Sequence, residues 1–256
     1  MTIFDAVLLG IIQGLTEFLP ISSSGHLVIT QALLGVKESG VAFEILVHLG
    51  SLCAVLIFFR ASIIRIIVGL FKNDKHAQLM TLYLIIGTVP TVLIVLLIKD
   101  YVDEAFVMPA LAAVMLLVTG MILLTTKFIV KKKNPVSGKN AFLIGFGQAL
   151  AILPGISRSG TTISVGMLLG VDPSLAAEFS FLLAIPAILG AVVFKFKEIA
   201  AVDNSLWAQY FAGFIASFVF SLLAVYLVLA LIRKGKFEYF AYYCFAAGLF
   251  GLYLFL

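Results

Sequence analysis

A chain of 256 residues that is 62% hydrophobic and only 12% charged, with mean hydropathy +1.18, cannot cover a globular surface with polar groups. Soluble domains carry about 25% charged residues, so composition alone excludes that class and points to an integral membrane protein. The formal net charge of +4 would suit a nucleic-acid partner, but the basic residues lie in short connections beside apolar segments. The charge therefore reads as membrane topology, with no nucleic acid involved.

In chain order, Phe4–Leu19 is apolar but short, and Asp5 stands where a leader would carry a basic residue, so no cleaved leader is expected. The stretch runs into a polar break, Pro20–His26, and resumes as Leu27–Val36. A helix needs about 20 residues to cross a hydrocarbon core of about 30 Å. Six segments meet that length near Val41–Phe59, Gln78–Ile98, Phe106–Thr126, Leu175–Phe194, Trp207–Ile232 and Phe237–Leu256. Between the third and fourth lies a second broken pair, Ala141–Leu153 and Ile163–Val171, around Pro154–Thr162. Cys53 and Cys244 sit inside apolar segments without motif spacing and read as inert core residues.

The connections sort by charge. Arg60–Lys75, Lys127–Lys139 and Arg233–Lys236 hold twelve basic residues, against four in the remaining loops, where acidic residues dilute them. Basic loops stay in the cytoplasm, so these three face inward. Alternation then works only if each broken pair enters and leaves on one side, as a re-entrant helical hairpin whose non-helical backbone is buried in protein.

The two hairpins are copies. Ala6–Leu15 lies over Ala141–Leu150 at a constant offset of 135 residues. The same offset pairs Gln13 with Gln148, Ser22 with Ser157, Ser24 with Ser159 and Gly25 with Gly160. The predicted fold is therefore all-α, with six transmembrane helices and two re-entrant hairpins in an inverted-topology repeat. Residues 1–126 form the first half (hairpin 4–36), 127–140 a cytoplasmic basic linker, and 141–256 the second half (hairpin 141–171). Inverted repeats with broken helices place a polar site at the repeat interface.

At that interface Glu17, His26 and Arg158 are expected to converge with Gln13 and a cluster of Ser and Thr. Ionisable residues at membrane depth are costly and mark function. Gln13 and Glu17, four apart, project from one helix face. Arg158 offers a planar fork of donors for phosphate oxygens, and Ser-rich helix starts expose backbone N–H groups to anions. Ser beside His and Glu has the composition of an activated nucleophile. His48, four residues after Glu44, reads as a packed polar pair rather than a catalytic group.

The tips resemble the undecaprenyl-diphosphate phosphatase family, also called the bacitracin-resistance protein family. Gln13, Glu17, Ser22, Ser23, Gly25 and His26 match its first signature. Pro154, Gly155, Ser157, Arg158, Ser159 and Thr162 match its second, P-G-x-S-R-S-x-x-T. One departure is Gln13, where many members carry Glu. The resemblance implies a plasma-membrane enzyme, open to the outer face, that removes the terminal phosphate of a C55 polyprenyl diphosphate. Such a reaction recycles the lipid carrier of cell-wall synthesis and confers bacitracin resistance. It also implies a divalent cation; Glu17 either orients His26 or binds that ion, Mg²⁺ or Ca²⁺, which favour carboxylate and phosphate oxygens. Glu17, Ser23, His26 and Arg158 are the expected catalytic residues, and Gln13, Ser22, Ser157, Ser159 and Thr162 the expected substrate contacts. Ser23 is the preferred nucleophile with His26 as proton acceptor; His26 as nucleophile is the alternative. The expected partners are the lipid substrate and the membrane, with a homodimer as an option. The rival class is an inverted-repeat transporter or polyprenyl-phosphate flippase, which requires two-sided access to the site.

Overall fold

The computed structural model describes residues 1–36, 40–129 and 133–256, without the side chains of residues 40, 41, 99, 100 and 103. The charges assigned to Lys37, Glu38, Lys131 and Lys132, and the side chains of Lys99, Asp100 and Asp103, lie outside the described residues.

Caps fix where the first hairpin begins and breaks. Thr2 and Asp5 form a capping box (Asp5 N–H to Thr2 Oγ1, 3.1 Å; Thr2 N–H to Asp5 Oδ2, 2.7 Å) that starts α1, Ile3–Phe18. Helix α2, Ser23–Leu34, is capped by Ser22 and stopped by Gly35 in the left-handed region at φ 61°. The next helices are α3 (Gly40–Phe58), α4 (Arg60–Phe71), α5 (Lys75–Ala105) and α6 (Pro109–Thr125). The second half repeats the order: α7 (Gly138–Leu150), α8 (Arg158–Leu168), α9 (Pro173–Phe194), the short α10 (Phe196–Ala200), α11 (Trp207–Arg233) and α12 (Tyr239–Phe255). Ser157 caps α8 as Ser22 caps α2, each accepting from the N–H of the glycine three residues on.

The chain is all-helical among the described residues, and the expected spans fall on α3, α5, α6, α9, α11 and α12. Four helical stretches are long and apolar enough to cross a membrane: Lys75–Ile98, Pro109–Phe128, Pro173–Phe194 and Asn204–Arg233. A fifth is counted if Ala42–Phe58 and Arg60–Phe71 form one broken span, the two being bent by 73°. Tyr239–Phe255 is a shorter apolar helix.

One expectation needs correction. The segment Arg60–Lys75, read as a basic loop, is largely the helix α4. Its four cations drew attention from a short apolar pattern that leaves Ile64, Ile67, Val68 and Phe71 exposed. The span expected near Gln78–Ile98 is found at Lys75–Ile98, capped by Asp74, and a further helical piece continues beyond the kink at Ile98 to Ala105.

Packing follows the internal offset. Helix α1 lies along α11, and its counterpart α7 lies along α5, the counterpart of α11. Both contacts depend on equivalent glycines. A methyl on Gly10 would fall on the backbone of Gly213, and one on Gly145 on the backbone of Gly87. Small residues let membrane helices approach at this distance. A core of Phe18, Phe181, Leu123, Ile163, Val225 and Phe237, among others, sits beneath the two hairpin breaks.

Candidate functional site

Each hairpin contributes one break, and the two breaks meet. A side chain on Gly25 would strike Gly155 Cα at 2.8 Å. Gly155 itself has φ 96°, a conformation suited to glycine, and a Cβ there would strike the Ala112 carbonyl. Ser159 Oγ donates across the junction to the Glu17 and Leu19 carbonyls at 3.3 and 3.4 Å. Those carbonyls lie where α1 ends, so a side chain of the second half satisfies acceptors that the helix leaves open.

The C-terminal end of α1 aims Glu17 into this junction, and its carboxylate is the hub of the site. Oε1 receives Arg158 Nη2 at 2.5 Å, from the first turn of α8. Oε2 receives Ser23 Oγ at 2.7 Å and Gln13 Nε2 at 3.0 Å. His48 Nε2 stands 3.5 Å from the same oxygen. Glu17 is 8% exposed and Ser23 9%, so a carboxylate and a hydroxyl share a nearly closed environment. A buried carboxylate is tolerated there because a guanidinium and several donors surround it.

Arg158 is held from behind by Nη1 donating to the Ser180 carbonyl at 3.4 Å. Guanidinium carries five N–H donors, so these contacts leave others for a phosphate. Around it, the remaining residues of the second signature secure the break. Ser157 caps α8, and its own N–H donates to Thr119 Oγ1 at 3.0 Å. Thr119 in turn donates to the Gly155 carbonyl at 2.7 Å. Thr162 Oγ1 lies 2.6 Å from Ser180 Oγ and donates to the Arg158 carbonyl at 2.8 Å. Ser22, at φ 69°, caps α2. Thus Ser22, Ser157, Ser159 and Thr162, expected as substrate contacts, are engaged in holding the tips, while Gln13, Glu17, Ser23 and Arg158 form one connected group.

His26 is not part of that group. Its Nδ1 lies 2.7 Å from the Ser22 carbonyl and its Nε2 2.9 Å from Tyr243 Oη. The expected Ser23–His26 hydrogen bond is replaced by a Ser23–Glu17 bond, although Ser23 and His26 stand three apart on α2 and so share one side of it. His48, expected to be only a packed pair with Glu44, is the residue that sequence reasoning missed. Its Nδ1 is committed to the Glu44 carbonyl at 2.7 Å, which turns Nε2 toward Glu17. Ser180, Thr119 and Tyr243 also went unnamed, because each reaches the site from a separate helix.

For a cation, no three His, Cys, Asp or Glu side chains cluster among the described residues. The oxygen donors present are the Glu17 carboxylate and Gln13 Oε1, which is fully buried without a partner. One carboxylate and one neutral oxygen are the hard donors a divalent ion takes, so the residues fit such an ion where further oxygens complete its shell.

The family described as bacitracin resistance protein BacA matches residues 6–250 of this chain. Undecaprenyl-diphosphatase 1 of Shouchella clausii is 40% identical, covering 96% of this chain and 94% of its own. The undecaprenyl-diphosphatases of Methanobrevibacter smithii and Carboxydothermus hydrogenoformans are each 42% identical over 97% of this chain, covering 96% and 95% of theirs.

Proposed function

The chain belongs to the bacitracin resistance protein family and is a membrane undecaprenyl-diphosphatase; we propose that the Gln13–Glu17–Ser23–Arg158 group is its reaction centre. One observation carries this reading: Ser23 Oγ donates to a buried carboxylate at 2.7 Å, and the same carboxylate is paired with Arg158. A hydroxyl hydrogen-bonded to a base, beside a phosphate-binding cation, is the arrangement that phosphoryl transfer to serine requires.

In the proposed cycle Arg158 binds the terminal phosphate and neutralises the charge that builds in transfer. Ser23 Oγ attacks the terminal phosphorus as its proton passes to Glu17 Oε2. The bridging P–O bond breaks, and undecaprenyl monophosphate leaves with the electron pair. Water then attacks the phosphoserine as His26 takes its proton at Nε2, the P–Oγ bond breaks while Glu17 returns a proton to Ser23, and inorganic phosphate leaves carrying the proton that His26 gives up. A divalent cation, when bound, would be held by Glu17 and Gln13 Oε1 and would offset phosphate charge. Keeping the reaction between two membrane hairpins lets the polyprenyl tail remain in lipid.

The finer architecture belongs to the same proposal. Six spans and two re-entrant hairpins, arranged as inverted halves 1–126 and 141–256 about the 127–140 linker, open the site to the outer face. Cytoplasmic Arg60–Lys75, Lys127–Lys139 and Arg233–Lys236 support that orientation, as does the crossed packing of α1 on α11 and α7 on α5.

The test is chemical. Labelled substrate quenched in acid should leave phosphate on the wild-type protein as acid-stable phosphoserine, and Ser23→Ala should lose both label and turnover. Acid-labile label that survives in Ser23→Ala and vanishes in His26→Ala would make His26 the nucleophile instead.

A further inference from the structure

Tyr243 lies on α12, at the far end of the chain from both signatures, and yet it touches His26. Its hydroxyl is 2.9 Å from His26 Nε2, and the two rings stack with centroids 5.6 Å apart and planes within 14°. On the other side of the imidazole, Nδ1 meets the Ser22 carbonyl at 2.7 Å. A carbonyl only accepts, so Nδ1 carries the proton and the neutral ring presents Nε2 as an acceptor. Among the described residues no carboxylate pairs with His26; the ion pairs of Glu17 go to Arg158 and His48. Both nitrogens of His26 are thus fixed by two groups, one from each half of the chain.

We propose that Tyr243 is a positioning residue for the hydrolytic half of the cycle. Its hydroxyl, donating to Nε2, selects the Nδ1–H tautomer and holds the Nε2 lone pair in the place where the attacking water is deprotonated. Once Ser23 is phosphorylated the hydroxyl cedes Nε2 to that water and donates to the water oxygen instead, so its hydrogen bond is kept through the step. This rests on the reading above that His26 acts on the second step. It assigns a function to the last helix, which neither signature reaches.

Tyr243→Phe keeps the ring stack and removes only the donor. Loss of one hydrogen bond at the base should slow the second step roughly tenfold. In a two-step phosphoryl transfer, slowing the second step lowers kcat and KM together and leaves kcat/KM unchanged. Phosphoserine should then accumulate in Tyr243→Phe, and the substitution should have no further effect in a His26→Ala background. Selective ¹⁵N labelling gives an independent readout, since the chain has only three histidines. Wild type should show His26 with a protonated Nδ1 and an acceptor Nε2 whose resonance moves in Tyr243→Phe.

The outcomes separate. Unchanged kcat in Tyr243→Phe, or a loss that adds to that of an impaired His26→Ala, would overturn the proposal. So would a protonated Nε2 in the neutral ring. Normal turnover in His26→Ala would instead overturn the reading of His26, and Tyr243's role with it, while the resonance shift would still report the contact.

Discussion

Glu17 meets Arg158, Ser23, Gln13 and His48, and these neighbours differ in how they depend on it. Arg158 is the one that needs a shape as well as a charge. Its guanidinium reaches Glu17 through Nη2 and the Ser180 carbonyl through Nη1, leaving donors in the same plane for phosphate. Lysine keeps the charge but has a single nitrogen, which cannot hold both anchors and the substrate. Arg158→Lys should therefore lose two to three orders of magnitude in kcat/KM, about 3–4 kcal/mol, with expression intact. Steady-state phosphate release from purified protein measures this, and near-normal turnover would reduce Arg158 to a counter-ion for Glu17. The Gln13–Glu17 contact was legible in the sequence because both residues lie on one helix, four apart. The His48–Glu17 contact was not. Local spacing tied His48 to Glu44, and so it is bonded, but to the backbone carbonyl, which frees Nε2 for a carboxylate on another helix.

Between helices, the decisive residues are glycines that an apolar sequence hides. The breaks themselves were legible, because Pro, Ser and Gly interrupt two apolar runs at a constant offset. That α1 would pair with α11 and α7 with α5 was not, since long-range partners leave no periodicity in a uniformly apolar helix. Helix α4 was lost for a related reason: twelve residues are too few for a span, and its cations mark a loop as readily as an interfacial helix. The close approach at Gly145 yields a prediction. A methyl there would fall on the Gly87 backbone, which cannot move without shifting α5 against α7. Gly145→Ala should destabilise by about 1–3 kcal/mol, the cost of overpacking, despite alanine's better helix propensity. Gly190, in α9 with open space around it, is the control: Gly190→Ala should be neutral or slightly stabilising. Thermal unfolding in detergent compares the two, and equal midpoints would mean that the α5–α7 contact is looser than described.

For the whole molecule, the proposed orientation and the proposed chemistry constrain each other. If the two halves are inverted, the starts of α1 and α7 lie on opposite faces, although their sequences are copies. The breaks then meet within the membrane from opposite sides, which is the placement in which Glu17 from one half and Arg158 from the other share a closed pocket. If both hairpins entered from one face, the shared offset would describe parallel repeats, and the basic connections would no longer share a side. Single cysteines in a background with Cys53 and Cys244 replaced by alanine distinguish these arrangements. Thr2→Cys and Asp203→Cys should react with a membrane-impermeant thiol reagent in intact cells. Lys133→Cys and Lys236→Cys, all four sites being at helix ends or connections, should react only after permeabilisation. Each variant must retain phosphate release, so that labelling reports a working fold. Reaction of Thr2→Cys and Lys133→Cys from the same face would remove the inversion, and with it the outward opening of the site. Reaction of all four sites in intact cells that exclude the reagent would point instead to a pathway through the protein, the two-sided access that a transporter requires.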